Sequence, residues 1–223
     1  MNNEKNYDVT DLLSDIVPYI TVKDSFELSN TSVKYNNVVF GISRLYNSQV
    51  SDVSNFRSLV FLSLIKNNKI INVSSLQHLT HLYLGRIGRV IGHDRLTNLK
   101  SPSAIGNHQT LDIAMLTNIT ELNIGDNRGI NSIATLTNLR KLTLCSNNRI
   151  MNVSHLTNLT YLNLTYNYRI SNITMLHQLE TLRLDHNCTV KDIRSLTSLK
   201  KLYLRGNTTI IDVPPGVKIS RKL

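Results

Sequence analysis

The chain repeats itself every twenty residues, and this period constrains its fold more than any other feature. The unit that begins at Leu156 reads LTNLTYLNLTYNYRISNITM, and the same frame returns at a spacing of twenty from Phe56 to Leu196. Aliphatic residues occupy positions 1, 4, 7, 9, 15 and 18 of a unit, and asparagine occupies position 12. With a weaker unit that begins at Asn36, we count nine units over residues 36–215. A period in the range of about 20 to 50 residues is typical of solenoids.

Each unit combines a short strand with a polar turn. The apolar side chains at positions 7 and 9 alternate with outward-facing ones, which is the period of a half-buried strand. The asparagine at position 12 faces inward, and a buried amide without hydrogen-bond partners costs about 1 to 3 kcal/mol. We therefore expect a ladder in which each amide bonds backbone groups of its own coil and of a neighbouring coil. The asparagines of this predicted ladder are Asn67, Asn107, Asn127, Asn147, Asn167, Asn187 and Asn207.

A single unit cannot fold alone. Its six aliphatic side chains contribute roughly 1.5 to 3 kcal/mol each on burial, against about 1 to 2 kcal/mol of backbone entropy for each of its residues. Stacked units share their buried faces, so the stability of the array comes from nearest-neighbour interfaces.

The pattern L-x-x-L-x-L-x-x-N resembles the leucine-rich repeat family over residues 36–215. The resemblance implies an α/β solenoid with a parallel sheet on its concave side. Because a unit of twenty residues has little room after the strand and the asparagine turn, we expect a thin, mostly non-helical convex side. Residues 216–223 form a C-terminal tail.

One region departs from the repeat. Ile87 stands at position 12 and His93 at position 18, and the next unit has Pro102 and Ala104 where leucines belong. Proline cannot donate to a sheet ladder, so residues 85–106 are predicted to be kinked or locally irregular. Two interpretations remain open: drift in a tolerant array, or a bend that shapes the ligand face.

Residues 1–35 do not repeat and are predicted to form a small N-terminal helical segment. Aliphatic residues from Leu12 to Ile20 fall at helical spacing, and Asp24 with Glu27 can cap a second helix. The segment resembles the F-box, whose pattern is met without a gap, although the Leu-Pro pair that usually opens the motif is replaced by Asp8-Val9. The matching residues are Ile16, Tyr19, Ile20, Asp24, Leu28, Ser29, Ser32 and Tyr35.

An F-box followed by leucine-rich repeats is similar to the substrate-receptor subunits of cullin-RING ubiquitin ligases. The resemblance implies that residues 1–35 bind a Skp-type adaptor while the repeats hold an unidentified target protein. The residues carried over to the adaptor surface are Leu12, Leu13, Ile16, Ile20, Leu28 and Tyr35. The alternative is a stand-alone leucine-rich-repeat scaffold whose N-terminal helices only cap the solenoid.

The concave face is predicted to bind a protein, because tyrosine and arginine are frequent anchors of protein interfaces. The alternative for any one of these residues is a solvated sheet face. The predicted binding residues are Tyr83, Arg86, Lys141, Tyr161, Tyr166, Arg183, Tyr203 and Arg205. A second row at position 14 is either unselected surface or a site for an acidic partner. Its members are Lys69, Arg89, Arg149 and Arg169.

Other functions have little support. The seven histidines are scattered over the repeat, and no metal-ligand spacing or phosphate loop is present, so we expect no catalysis, metal or cofactor. The net charge of +10 permits nucleic-acid binding, but no helix-turn-helix or aromatic stacking platform accompanies it. Cys145 and Cys188 lie two units apart, beyond disulfide reach, which fits a reducing compartment. Neither a signal peptide nor a membrane span is evident, so the expected location is cytoplasmic, in the host cytoplasm if the protein is viral.

Overall fold

Residues 29–30, 33–34, 44–46, 52–54, 56, 59–64, 69–84, 90–108, 112–210 and 212–221 are described by the structure, a computed structural model. The strands are β1 (Ser29–Asn30), β2 (Val33–Lys34), β3 (Arg44–Tyr46), β4 (Phe61–Ser63), β5 (His81–Tyr83), β6 (Ser101–Ser103), β7 (Glu121–Asn123), β8 (Lys141–Thr143), β9 (Tyr161–Asn163), β10 (Thr181–Arg183), β11 (Lys201–Tyr203) and β12 (Lys218–Ser220). Strands β3 to β12 form one parallel sheet in which neighbours in sequence are neighbours in space. The predicted leucine-rich-repeat solenoid is therefore confirmed.

The core is made by the aliphatic positions that the repeat predicts. In the unit that begins at Leu136, the six aliphatic side chains at positions 1, 4, 7, 9, 15 and 18 are at most 2% exposed. The central leucine of each regular strand pairs with the central leucine of the next, as Leu162 does with Leu182. Each coil thus buries one layer of side chains against the layers on either side of it.

The asparagine ladder is confirmed in the regular units. Asn147 donates from Nδ2 to the carbonyls of Ile124 at 2.9 Å and Asn127 at 3.1 Å, both in the preceding coil. Its Oδ1 accepts the backbone N–H groups of Arg149 and Ile150 in its own coil. The equivalent asparagines at 127, 167, 187 and 207 make the same kind of contacts. Asn107 is also buried, and Asn67 lies outside the described residues.

The side opposite the sheet consists of turns, as the short unit predicts. In each regular coil two turns follow one another, with Leu156 N–H donating to Val153 O and Leu159 N–H to Leu156 O, both at 3.0 Å. Within the described residues, the 3₁₀ helix spans His93–Arg95. Polar residues at position 17 close the first turn; Asn152 Oδ1, for example, accepts the N–H of Ser154 at 2.8 Å. No described helix has the length and apolar character needed to cross a membrane.

The region around Pro102 is locally irregular, as predicted, but the sheet continues through it. Pro102 lies buried in β6 and pairs with Leu82 of β5. Between β6 and β7 the register is limited to Ser103 with Asn123, whereas other strand pairs in the sheet match three residues, as β7 and β8 do. Proline has no backbone N–H, so this ladder lacks one rung. His93 is half-buried and its Nε2 lies 3.0 Å from the carbonyl of Asp112, while Ile87 lies outside the described residues.

The two ends of the array differ from the predicted frame. The unit counted from Asn36 puts Ile42 at the centre of its strand, but Leu45 pairs with Leu62, so the first strand begins three residues later than predicted. At the other end, Lys218–Ser220 within the predicted tail adds a strand parallel to β11, with Leu202 opposite Ile219.

The N-terminal prediction is wrong for four residues of the segment. Ser29–Asn30 and Val33–Lys34 are paired antiparallel strands rather than parts of a helix. Ser, Asn and Val are weaker helix formers than Ala or Leu, and the β-branched Val33 favours extended backbone. The residues assigned to the adaptor surface lie outside the described part of the chain: Leu12, Leu13, Ile16, Ile20, Leu28 and Tyr35.

Candidate functional site

The strands present a row of side chains away from the core. In β4 to β11 the central residue is buried, while the first and third residues, at positions 6 and 8, point outward and are half-buried or exposed in all of these strands except at Ser63 and Ser103. We call the surface made by positions 6, 8, 10 and 11 the sheet face. It is continuous across the described coils because the strands lie in register at a repeat of twenty residues.

Arg183 is the most strongly oriented side chain of the sheet face. Its Nε and Nη2 donate to Asp185 Oδ2 at 3.3 and 3.0 Å, and its Cζ lies 4.6 Å from the centre of the Tyr203 ring. Burial lowers the pKa of Arg183, but the hydrogen bond and the charge of Asp185 outweigh it, so the net pKa is raised. The side chain of Asp185 is only 9% exposed, and its other oxygen accepts the N–H of Arg205 at 2.9 Å. The guanidinium is therefore held in place while 41% of the Arg183 side chain stays exposed.

An aromatic pair lies at the edge of the sheet face beside this arginine. The rings of Tyr166 and His186 stack with centroids 4.6 Å apart and an interplanar angle of 3°. Both residues stand at position 11 and have positive φ, 54° and 52°. A Cβ on Gly206, at the same position of the next coil, would lie 2.3 Å from His186 Nδ1. Glycine at 206 therefore leaves room for the imidazole, which lies between the Tyr166 ring and the backbone of Gly206.

The middle of the sheet face is polar and shallow. Glu121 on β7 forms an ion pair with Lys141 on β8 at 2.6 Å, and Ser101 Oγ lies 3.4 Å from the other carboxylate oxygen of Glu121. These residues line a depression of about 380 Å³ that reaches Tyr83 on one side and Tyr161 on the other. The depression lies over β6, where Ser101 and Ser103 replace larger outward side chains.

A second aromatic cluster lies at the N-terminal end of the same face. The Phe61 ring centroid is 5.1 Å from that of Tyr83 and 6.0 Å from that of His81. The sheet face thus has an aromatic cluster near each end and a polar depression between them. Such an alternation of anchors and polar groups suits the surface of a protein partner.

The structure places the predicted binding residues as follows. Tyr83, Lys141, Tyr161, Arg183 and Tyr203 lie in strands of the sheet face. Tyr166 and Arg205 lie just beyond the ends of their strands and are exposed, and Arg86 lies outside the described residues.

Sequence reasoning missed two features of this face. The first is the pairing of Arg183 with Asp185; opposite charges two residues apart on one strand face were a usable signal. The second is the left-handed backbone at position 11, which also includes Asp126 and Ser146. The six residues at that position from 106 to 206 are Gly, Asp, Ser, Tyr, His and Gly, so no single residue type marks it.

The two cysteines are free thiols. Burial raises the pKa of the Cys145 thiol, and the nearby Asp126 raises it further, so the sulfur stays protonated at neutral pH. No group of three or more His, Cys, Asp or Glu side chains that could hold a metal ion occurs in the part of the chain that the structure describes.

Known structures share this architecture. No protein-family model matches the chain, and no curated protein matches it either. Among solved structures, the internalin InlF from Listeria monocytogenes is 26% identical with a TM-score of 0.60, over 74% of this chain and 54% of the InlF chain. Internalin C2 from the same organism is 26% identical with a TM-score of 0.61, over 75% of this chain and 83% of its own. The chain has the leucine-rich-repeat solenoid fold of the internalins.

A more distant likeness supports the fold alone. The functional domain of InlJ from Listeria monocytogenes, which includes a cysteine ladder, is 16% identical with a TM-score of 0.56 over 77% of this chain and 46% of that one. This chain spans about half the length of the InlF and InlJ chains it matches. Nothing in these comparisons supports the resemblance to an F-box.

Proposed function

We propose that the chain is a nonenzymatic binding module that holds a protein partner on the sheet face, with Arg183 and Tyr203 as its main anchors. The observation that carries this proposal is the fixed guanidinium of Arg183, held by Asp185 and stacked on Tyr203. An arginine fixed before binding loses little side-chain entropy when a partner docks, and Arg and Tyr are the side chains most often found at interface hot spots.

Tyr161 and the Tyr166–His186 pair extend the anchor on either side. Tyr161 lies on the neighbouring strand β9 and is half-buried. Tyr166 remains 45% exposed although its ring stacks on His186.

The test uses site-specific photo-crosslinking in the cells that produce the protein. We expect p-benzoylphenylalanine at position 203 to crosslink a defined protein, and the same residue at position 168 to crosslink it weakly or not at all. Affinity of the recovered partner for Arg183→Ala/Tyr203→Ala should fall at least about a hundredfold, since hot-spot residues contribute about 2 kcal/mol or more each.

The matched control is Arg140→Ala/Tyr168→Ala, which removes the same two residue types from exposed positions off the sheet face. This variant should bind within about twofold of the wild type, the range expected for residues outside an interface hot spot. Equal loss in both double variants, or equal crosslinking at positions 168 and 203, would show that the sheet face is not the binding surface.

A narrower function is proposed on the sequence alone, that of a substrate receptor in a cullin-RING ubiquitin ligase. The unbroken F-box-like spacing from Ile16 to Tyr35 supports it, while the comparisons favour the plain scaffold. In this function the protein would act in the cytoplasm and raise the effective concentration of a target lysine near ubiquitin. A purified Skp-type adaptor should capture the wild type but not Leu12→Ala/Tyr35→Ala. No capture of the wild type would leave the scaffold function.

A further inference from the structure

A second surface lies on the turn side of the solenoid, away from the sheet face. A groove of about 690 Å³ runs there across adjacent coils and is lined by residues 131–134, 148–152, 155 and 169. Its walls include Asn148, Arg149, Met151, Asn152, His155 and Arg169. Ile133 and Ile150 contribute to the apolar part of its lining. The groove is open to solvent, so a ligand could enter without movement of the backbone.

The groove carries uncompensated positive charge. Arg149 and Arg169 occupy position 14 of adjacent coils and are both exposed. Arg149 Nε donates to the carbonyl of Arg128 at 3.0 Å, and Arg169 Nη2 lies 4.0 Å from Met151 Sδ. Neither guanidinium is among the ion pairs of the described residues, and no carboxylate lines the groove.

Two asparagines of the groove present their amide NH₂ groups as donors. Asn148 Oδ1 accepts the N–H of Tyr168 at 3.2 Å, and Asn152 Oδ1 accepts both the N–H and the hydroxyl of Ser154 at 2.8 Å. Each amide oxygen thus accepts hydrogen bonds from the protein, which directs the amide NH₂ group to donate to a ligand. Together with the two guanidinium groups, they make a lining that favours acceptor groups with negative charge.

We propose that this groove binds an acidic peptide segment, whose carboxylates pair with Arg149 and Arg169 while an apolar side chain contacts Met151. Charge complementarity selects the acidic ligand, and Met151, 64% exposed, offers an apolar contact that a polyanion without apolar side chains would not use. A nucleic acid is disfavoured because no Phe, Tyr or Trp ring lines the groove for base stacking, and the imidazole of His155 is half-buried with its Nε2 3.4 Å from the carbonyl of Ile133. The site is separate from the sheet face, so its success or failure is independent of the proposed function.

The test measures fluorescence anisotropy of a labelled peptide in which glutamates alternate with leucines, against the same peptide with glutamine in place of glutamate. We expect the glutamate peptide to bind the wild type and the glutamine peptide to bind at least about tenfold more weakly. Arg149→Gln/Arg169→Gln should lose at least about tenfold in affinity for the glutamate peptide, while its thermal unfolding stays close to the wild type because both side chains are exposed.

The matched control is Lys100→Gln/Lys191→Gln, which removes the same net charge from exposed positions outside the groove. It should keep its affinity for the glutamate peptide within about twofold, since distant surface charges contribute little. Equal loss in this control would mean nonspecific attraction to the chain's net charge and would overturn the proposal. Tighter binding of an oligothymidine than of the peptide, dependent on Arg149 and Arg169, would replace it with a nucleic-acid groove.

Discussion

At the scale of single residues, Asn147 shows why position 12 is asparagine. One side chain serves two coils, with its NH₂ group bonded to carbonyls of the preceding coil and its oxygen to N–H groups of its own. We expect Asn147→Ala to lower the free energy of unfolding by about 3 kcal/mol or more, because buried backbone groups lose their partners. Urea denaturation followed by circular dichroism measures the change.

Asn138→Ala is the matched control for this substitution. Asn138 at position 3 also donates to the preceding coil, to Thr117 O at 2.9 Å, but it is exposed and water can replace the bond. We expect a loss of about 1 kcal/mol or less for this variant. Similar losses for the two variants would contradict the importance of burial in the ladder.

Substitution of Gly206 tests whether the His186 ring needs the space that glycine leaves. Gly206→Ala should lower stability by about 2 to 3 kcal/mol, because alanine meets both a left-handed backbone and the imidazole. Gly216 also has positive φ, 81°, but a Cβ added there would have no neighbour within 4 Å, so Gly216→Ala should cost only about 1 kcal/mol. Nuclear Overhauser contacts between the Tyr166 and His186 rings should disappear in Gly206→Ala alone. Their persistence would show that the stack does not depend on glycine.

We expect the stabilisation that Asp192 provides at its turn to depend on pH. The side-chain hydrogen bond from Arg194, followed by the backbone N–H of the same residue, lowers the pKa of Asp192 from 3.8 to about 2. Because the folded pKa is depressed, the stabilisation is present above pH 3.8 and is lost as the pH falls toward about 2. Carboxyl titration by NMR should give a midpoint near 2, and Arg194→Gln should raise it part of the way to 3.8, since the backbone bond remains. A normal midpoint in the wild type would contradict the pairing.

At the scale of the elements, β6 is the strand that Pro102 weakens. Ala104 donates to Asn123 O in β7 at 2.8 Å, and residues two apart in a parallel ladder donate to the same neighbour. A residue with an N–H at position 102 would therefore add a bond to β7. We expect Pro102→Val to gain a slowly exchanging amide at 102 and about 1 kcal/mol of stability. Hydrogen exchange by NMR and urea denaturation measure these two effects. Fast exchange at 102 would show that β6 is held off β7 for another reason.

The sequence predicted strands where it carried a strict pattern and failed where several residues fitted equally well. The leucines at positions 7 and 9 predicted the centres of β7 to β11 to the residue. In the first unit, Ile42 and Leu45 are both aliphatic, and the coil to the next strand is three residues shorter than the repeat, so periodicity selected the wrong one.

For the candidate site, the alternation of apolar and polar residues in the sequence predicted which side chains point outward. It did not predict the contacts among those side chains. That Tyr161, Arg183 and Tyr203 share one face follows from position alone. The contact of Asp185 with Arg183 and the stacking of Tyr166 on His186 depend on side-chain rotamers and backbone angles. Residue types alone do not predict these angles. The sequence predicted the basic residues at position 14, which include Arg149 and Arg169, but it did not predict the groove between them.

At the scale of the whole molecule, each coil is stabilised by its two neighbours, so a weak interface between two coils can separate the array into two blocks that unfold independently. Other neighbouring strands in the sheet pair through three residues each, but β6 and β7 pair through one. Pro102 and Ala104 also replace the larger leucines of the regular units at that interface. In a nearest-neighbour array, a weak interface allows one block to unfold while the other remains folded.

We therefore expect two blocks in low urea, with the amides of β4 to β6 losing protection before those of β7 to β11. Hydrogen exchange with mass spectrometry resolves the two blocks through peptides on either side of residues 104–120. Pro102→Val should bring the two transitions together, because it strengthens the interface between the blocks. Asn147→Ala should weaken the second block, so that its amides lose protection at a urea concentration closer to that of the first block. A single transition in the wild type, with all amides exchanging together, would mean that the irregular coil couples the two halves as well as a regular one does.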